Sequence, residues 1–131
     1  MPIRKTIKIN IMIIIYRLIT IILYPFIILL FFLRTFKYKE DAKRYKEKIF
    51  FNHFKVSKNK NLELLWFHAA SLGEVKSIFP IINKLDNTKF EFLITTVTLS
   101  SAELVENKIK KNENIHHRFF PVDIKFLIRK F

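Results

Sequence analysis

Within seven residues, the run His68-Ala-Ala-Ser-Leu-Gly-Glu74 gathers an imidazole, a hydroxyl and a carboxylate around Gly73, the only glycine of the 131-residue chain. A carboxylate at the mouth of a crevice can take the proton from an attacking hydroxyl, which makes Glu74 a candidate general base. The same residues also suit a structural task. Ser71, three positions before Glu74, completes a Ser-x-x-Glu capping box, and a glutamate in a first helical turn is favoured by the helix dipole. Both readings are open on sequence alone. A second group, Thr95-Thr-Val-Thr-Leu-Ser-Ser101, carries five hydroxyls that can bind sugar or phosphate oxygens, although Ser100 or Ser101 can equally be an N-cap. In Pro121-Val-Asp123 the aspartate is placed to cap a last helix. His68 can simply close a strand. His116 and His117 are adjacent on a later strand and so face opposite ways, and no histidine has partners at ligand spacing, so no zinc site is expected.

The elements that would position these groups follow from periodicity. Residues 62–67, 90–95 and 115–120 are short apolar runs that read as strands, and 75–85, 101–111 and 124–131 carry helical spacing. Strands alternating with helices of this length predict an α/β unit with a Rossmann-like parallel sheet. All three chemical groups then fall at the carboxyl ends of strands, where such sheets form their ligand crevice and where a helix N-terminus favours anions. Three strands do not finish such a sheet. An uncovered face or edge is expected, to be met by further chain, a partner or a membrane, and the helical pattern is still running at Phe131.

Ahead of this unit, residues 9–33 form an apolar run of 25 residues, against the roughly 20 that a bilayer-spanning helix requires. Arg17 and Pro25 interrupt it, so a tilted or monotopic anchor suits it as well as a straight span. Apolar residues on every face argue against a buried core helix, and the absence of a small-x-small site before Arg34 argues against a cleaved signal peptide. The expected organisation is a membrane anchor over 1–36, a basic helix and linker over 37–61 that breaks at Ser57-Lys-Asn-Lys-Asn61, and the partial α/β domain over 62–131.

Charge follows the same division. Residues 1–60 hold 14 Lys and Arg against 3 Asp and Glu, a net of +11, whereas 61–131 hold 10 against 8. Basicity concentrated beside the apolar run favours anionic lipid headgroups as partners, and no helix-turn-helix, zinc-finger or RRM signature supports nucleic acid. The heavier basic flank, from Arg34 to Lys48, places the soluble part on the cytoplasmic side. With no cysteine, disulfides, thiolate metal sites and a cysteine nucleophile are excluded.

Leu65-Trp-Phe-His-Ala-Ala-Ser-Leu-Gly-Glu-Val75, Thr95-Thr-Val-Thr and Phe119-Phe-Pro-Val-Asp123, in this order and spacing, resemble the N-terminal domain of the 3-deoxy-D-manno-octulosonic acid (Kdo) transferases of Gram-negative bacteria. Tyr24-Pro25 in the apolar N-terminus is similar too. The resemblance implies the N-terminal half of a GT-B glycosyltransferase that moves Kdo from CMP-Kdo to a lipid A precursor, lipid IVA, at the cytoplasmic face of the inner membrane. It implies inversion at the anomeric carbon and no metal. Glu74 would be the general base, Ser71 and Gly73 would belong to its motif, and Thr95, Thr96 and Thr98 would line the substrate side of the pocket. The chain departs from the family at Ser100-Ser101, where Thr-Gly is usual, and in lacking a Gly-Glu-Arg element near Lys46-Glu-Lys-Ile49. The family's second domain, which holds CMP-Kdo, is not among these residues, so the chain alone is expected to be inactive. A non-catalytic α/β module that docks a partner at the membrane surface is the competing expectation.

Overall fold

The computed structural model describes residues 3–53 and 59–131, with the side chains of all but 3–10 and 51. The expected linker break at 57–61 therefore lies partly outside the described residues. The first element, α1 (Ile3–Phe36), carries Pro25 within it. Its Ile11–Phe36 stretch is long and apolar enough to cross a membrane by length and composition. Most of its described side chains are exposed, but Arg17, Thr20, Tyr24, Ile27, Ile28, Phe31 and Thr35 are half-buried. Their spacing of three and four residues puts them on one side of the helix. The apparently uniform helix thus has a contact stripe. The Tyr24 hydroxyl donates to the Ile49 carbonyl at 2.7 Å, and its ring meets Phe126 edge-on.

The α/β unit runs β1 (Glu63–Ala69), α2 (Leu72–Ile82), β2 (Phe90–Thr96), α3 (Leu99–Ile109), β3 (Ile115–Phe119) and α4 (Lys125–Ile128). The three strands form a parallel sheet in the order β1-β2-β3, with Ala69 opposite Thr96 and Thr96 opposite Phe119 at its carboxyl edge. Alternation along each strand sends Ala69, Phe92, Ile94 and Ile115 to one face, where they bury against Val75, Ile78, Phe79 and Ile82 of α2 and Val105 of α3. Both helices begin earlier than their apolar spacing indicates, because the N-caps Ser71 and Thr98 start them. Helix α2 also stops before residue 85, since Lys84 and Leu85 turn back onto Ile81 and Ile82 with tighter bonds three residues apart.

The opposite face of the sheet is only partly covered. Leu64, Trp66, Leu93 and Phe120 line a groove closed on one side by Ile128 and Phe131, and Trp66 remains 54% exposed. Asp123 does not cap α4, whose N-cap is Ile124 with no side-chain bond. Asp123 instead accepts from the Tyr16 hydroxyl, 3.3 Å away on α1, because α1 passes over this end of the unit.

The basic segment departs most from expectation. Rather than a surface helix, residues 40–53 make two short 3₁₀ turns, Tyr45–Lys48 and Phe51–His53, with Glu47, Lys48 and Ile49 buried and Glu40 buried just before them. Lys48 reaches Glu40 and the carbonyl of Val97 at 2.9 Å, and lies over the ring of Phe119; Glu40 in turn pairs with Arg34 at the end of α1. Glu47 accepts from Arg44 at 2.7 Å and from the Phe119 backbone N–H at 3.1 Å, and Arg44 also pairs with Glu106 of α3. Charges that composition assigns to solvent are drawn inward because each meets an opposite charge, mostly from nearby in the chain, and the pairs are fastened to the distant Val97, Glu106 and Phe119.

Removing one member of such a pair strands the other. Glu40→Leu leaves the Lys48 ammonium buried without its acid and should cost about 3 kcal/mol in urea unfolding, whereas Glu40→Leu combined with Lys48→Met should recover most of that loss. Equal stability of the single and double variants would show that the pair does not hold the segment.

Candidate functional site

Three turns meet at the carboxyl edge of the sheet. After β1 the chain leaves the extended conformation at Ser71 (φ −128°, ψ 161°), whose hydroxyl oxygen accepts from the Glu74 N–H at 3.3 Å. The Ser71 hydroxyl donates back to Glu74 Oε1 at 2.9 Å, and the Ala70 N–H donates to Glu74 Oε2, also at 2.9 Å. The capping box is therefore complete, and both carboxylate oxygens are held while Glu74 stays exposed. The Ala70 N–H, then the Ser71 hydroxyl and nearby His68, keep this carboxyl below its ordinary value. Glu74 is ionised at neutral pH, oriented, and open to solvent on its remaining lone pairs.

Gly73 has no conformational reason to be glycine. It lies in the first turn of α2 without a positive φ, and a Cβ there would meet nothing nearer than Ser71 Oγ at 4.0 Å. Glycine in a helix is less stable than alanine by about 1 kcal/mol. With no packing or backbone requirement, the missing side chain keeps the space above the α2 N-terminus clear.

The threonines of the second turn divide by depth. Thr95 and Thr96 are both 0% exposed. The Thr95 hydroxyl oxygen lies 3.0 Å from Trp66 Nε1 and 3.0 Å from His68 Nδ1, and it donates to the Phe67 carbonyl at 3.3 Å. With that hydrogen committed, the Thr95 oxygen is left to accept from both rings. His68 is exposed and rests on Phe120 with ring centroids 4.4 Å apart. Thr96 points to the other face and meets His117 Nε2 at 2.8 Å. Thr98 alone of the three reaches the surface, as the N-cap of α3, with its hydroxyl donating to Ser101 Oγ at 2.7 Å. Glu74, Ser71, Gly73, His68 and Thr98 thus lie along this edge, with Thr95 and Thr96 beneath it.

A cleft of about 460 Å³ opens on the same edge, between α1 and the turns after β2 and β3. Leu30, Phe31 and Arg34 line it from α1, Thr98, Phe120 and Asp123 from the strand ends, and Lys39 and Lys48 from the basic segment. Lys48, which fastens the Val97 carbonyl, is not singled out by sequence, because a lysine in a basic run gives no signal of burial. Trp66 and His68 carry a weak one, two residues apart on one strand face with Thr95 opposite His68. Among the described residues no group of three or more His, Asp or Glu stands close enough to hold a metal ion.

His117 is buried, and that burial, reinforced by Arg44 and Arg118, pushes its pKa from 6.5 down to about 3. The unfolded chain takes up a proton below about pH 6.5 that the folded chain refuses, so stability is full above that pH and falls as the pH drops toward 3. The loss should reach about 2 kcal/mol near pH 5. Urea midpoints measured across this range should fall less steeply for His117→Gln than for the parent; identical slopes would remove His117 as the cause.

Residues 43–131 match the family model described as 3-Deoxy-D-manno-octulosonic-acid transferase (kdotransferase). Among curated relatives, the 3-deoxy-D-manno-octulosonic acid transferase of Rickettsia bellii (strain RML369-C) is 30% identical over 112 residues, covering 82% of this chain and 25% of the relative. A probable mitochondrial 3-deoxy-D-manno-octulosonic acid transferase of Arabidopsis thaliana is 36% identical, and the transferase of Rickettsia prowazekii (strain Madrid E) 37% identical, each over 70 residues, 52% of this chain and 15% of the relative. The chain spans a quarter or less of the length of these relatives. No solved structure matches it. With the model covering more than half of the chain, including all three turns at the sheet edge, the protein belongs to the 3-deoxy-D-manno-octulosonic acid transferase family.

Proposed function

We propose that this chain is the anchored, acceptor-side part of a Kdo transferase, the N-terminal half of a GT-B glycosyltransferase. In this reading residues 1–36 are the anchor, 37–61 the basic segment and 62–131 the partial N-terminal domain. The complete enzyme transfers Kdo from CMP-Kdo to lipid IVA at the cytoplasmic face of the inner membrane, without a metal. Glu74 takes the proton of the acceptor hydroxyl, the freed oxygen bonds to the anomeric carbon of Kdo from the side opposite CMP, and CMP departs with the bonding electrons. Gly73 leaves room for the sugar, Ser71 orients the base, and Thr98 contributes a hydroxyl to the pocket. Thr95 and Thr96 support it from beneath.

The observation that carries this reading is the Glu74 carboxylate, held from behind by Ala70 and Ser71 yet exposed, within the segment that matches the family. The cleft between α1 and the strand ends supports it, since a lipid acceptor must approach from the anchor side. The described residues hold one three-stranded sheet and the chain spans a quarter or less of the length of its curated relatives, so the chain alone is proposed to be inactive.

A chimera that continues this chain with the remaining part of the Rickettsia bellii relative tests the assignment. Glu74→Gln should lower transfer to lipid IVA by about 10²-fold or more, the usual worth of a general base. Near-parental transfer would refute the role. Gly73→Ala should raise helix stability by up to about 1 kcal/mol while lowering transfer, a combination that a purely structural glycine does not give.

The exposed Trp66 face favours a second reading, a non-catalytic module that docks a protein at the membrane surface. Under it, Trp66→Ser would abolish partner binding, and Glu74→Gln would leave it unchanged.

A further inference from the structure

The contacts along α1 bear on how the chain meets a membrane. Tyr16 touches Asp123, Tyr24 touches Ile49 and Phe126, Phe31 lies under Lys48, and Arg34 joins Glu40. From Tyr16 to Arg34 the helix axis advances about 27 Å at 1.5 Å per residue. Along that length one side of α1 meets polar and charged groups, first of the α/β unit and then of the basic segment, that hydrocarbon would not accept. Ahead of Tyr16 the helix offers at most Ile3 to Ile15, about 20 Å, and Arg4, Lys5 and Lys8 stand in the first half of that sequence. A hydrocarbon core is about 30 Å thick. The helix cannot cross it and keep these contacts.

A second observation points the same way. Between α1 and α4 lies a pocket of about 540 Å³ with Arg17, Lys125, Arg129 and Lys130 in its lining, together with Thr20 and Phe126. No Asp or Glu lines it, and none of the four cations pairs with one among the described residues. In a spanning helix Arg17 would sit deep in hydrocarbon, at considerable cost. In a helix lying flat, it sits between the helix and the unit, at headgroup depth.

We infer that α1 lies in the plane of one leaflet, its outer face in the acyl chains and its contact stripe on the α/β unit, and that the four-cation pocket takes the phosphate of an anionic lipid. The inference rests on the membrane association proposed above but not on the transfer reaction. An in-plane helix of this kind binds through apolar area on one side and cationic attraction on the other.

The absence of cysteine makes the topology measurable. With the chain expressed in bacteria, single Lys5→Cys and Lys39→Cys variants should react with a membrane-impermeant maleimide from the same side, compared between spheroplasts and inverted inner-membrane vesicles. Labelling from opposite sides would overturn the in-plane arrangement, and a chain that does not sediment with membranes would overturn the membrane association beneath it. For the pocket, Arg17→Gln with Arg129→Gln should weaken binding to phosphatidylglycerol vesicles by roughly tenfold and leave binding to phosphatidylcholine vesicles unchanged. Unchanged binding to both would remove the phosphate site. Transfer by the chimera is a separate measurement, so failure of the chemistry and failure of the topology are distinguishable.

Discussion

A buried lysine holds the parts of this chain together. Lys48 joins Glu40, which is tied to Arg34 at the end of the apolar helix, and on its other side binds the Val97 carbonyl in the turn between β2 and α3. Its own backbone carbonyl accepts from Val122 after β3 at 2.9 Å. A lysine only 5% exposed is tolerated because an acid, a carbonyl and the face of Phe119 replace the water around its ammonium. The long helix, the basic segment and two of the three strand-end turns are thereby fixed to one another. Next to it, Glu47 and Arg44 fasten the same segment to β3 and α3.

This arrangement gives the strand-end edge a stable floor and an open top. Thr95 and Thr96 spend their hydroxyls inside the sheet, one holding His68 and Trp66, the other His117. What remains outside is the Glu74 carboxylate, the bare position at Gly73 and the Thr98 cap. The capping box and the candidate base are the same atoms. The bonds that start α2 also orient the carboxylate and keep it ionised, so the structural and chemical readings of Ser-x-x-Glu are compatible.

The uncovered surfaces are consistent with a unit that belongs to something larger. Trp66 and its neighbours form an apolar face that Ile128 and Phe131 close only in part, and α1 presents a long apolar side. Both need a covering, and they differ in kind. The sheet face is a groove of the sort filled by further polypeptide, whereas the outer side of α1 is continuous with basic residues suited to a lipid surface.

Local pattern determined much of this protein. The alternation of strands and helices, the parallel sheet, the capping box at Ser71 and the apolar helix are written in periodicities a few residues long, and the motifs at the three turns are enough to place the chain in its family. Tertiary structure decided what such patterns cannot carry. That Lys48 is buried, that Thr95 and Thr96 lie beneath the site, that Asp123 serves Tyr16 rather than α4, and that the apolar helix has a stripe facing the unit all depend on partners far apart in the chain. Tyr16 and Asp123 are separated by 107 residues, Lys48 and Val97 by 49. A charge or hydroxyl has no period that marks it as buried. Its place is set by whether folding brings it a partner good enough to replace water.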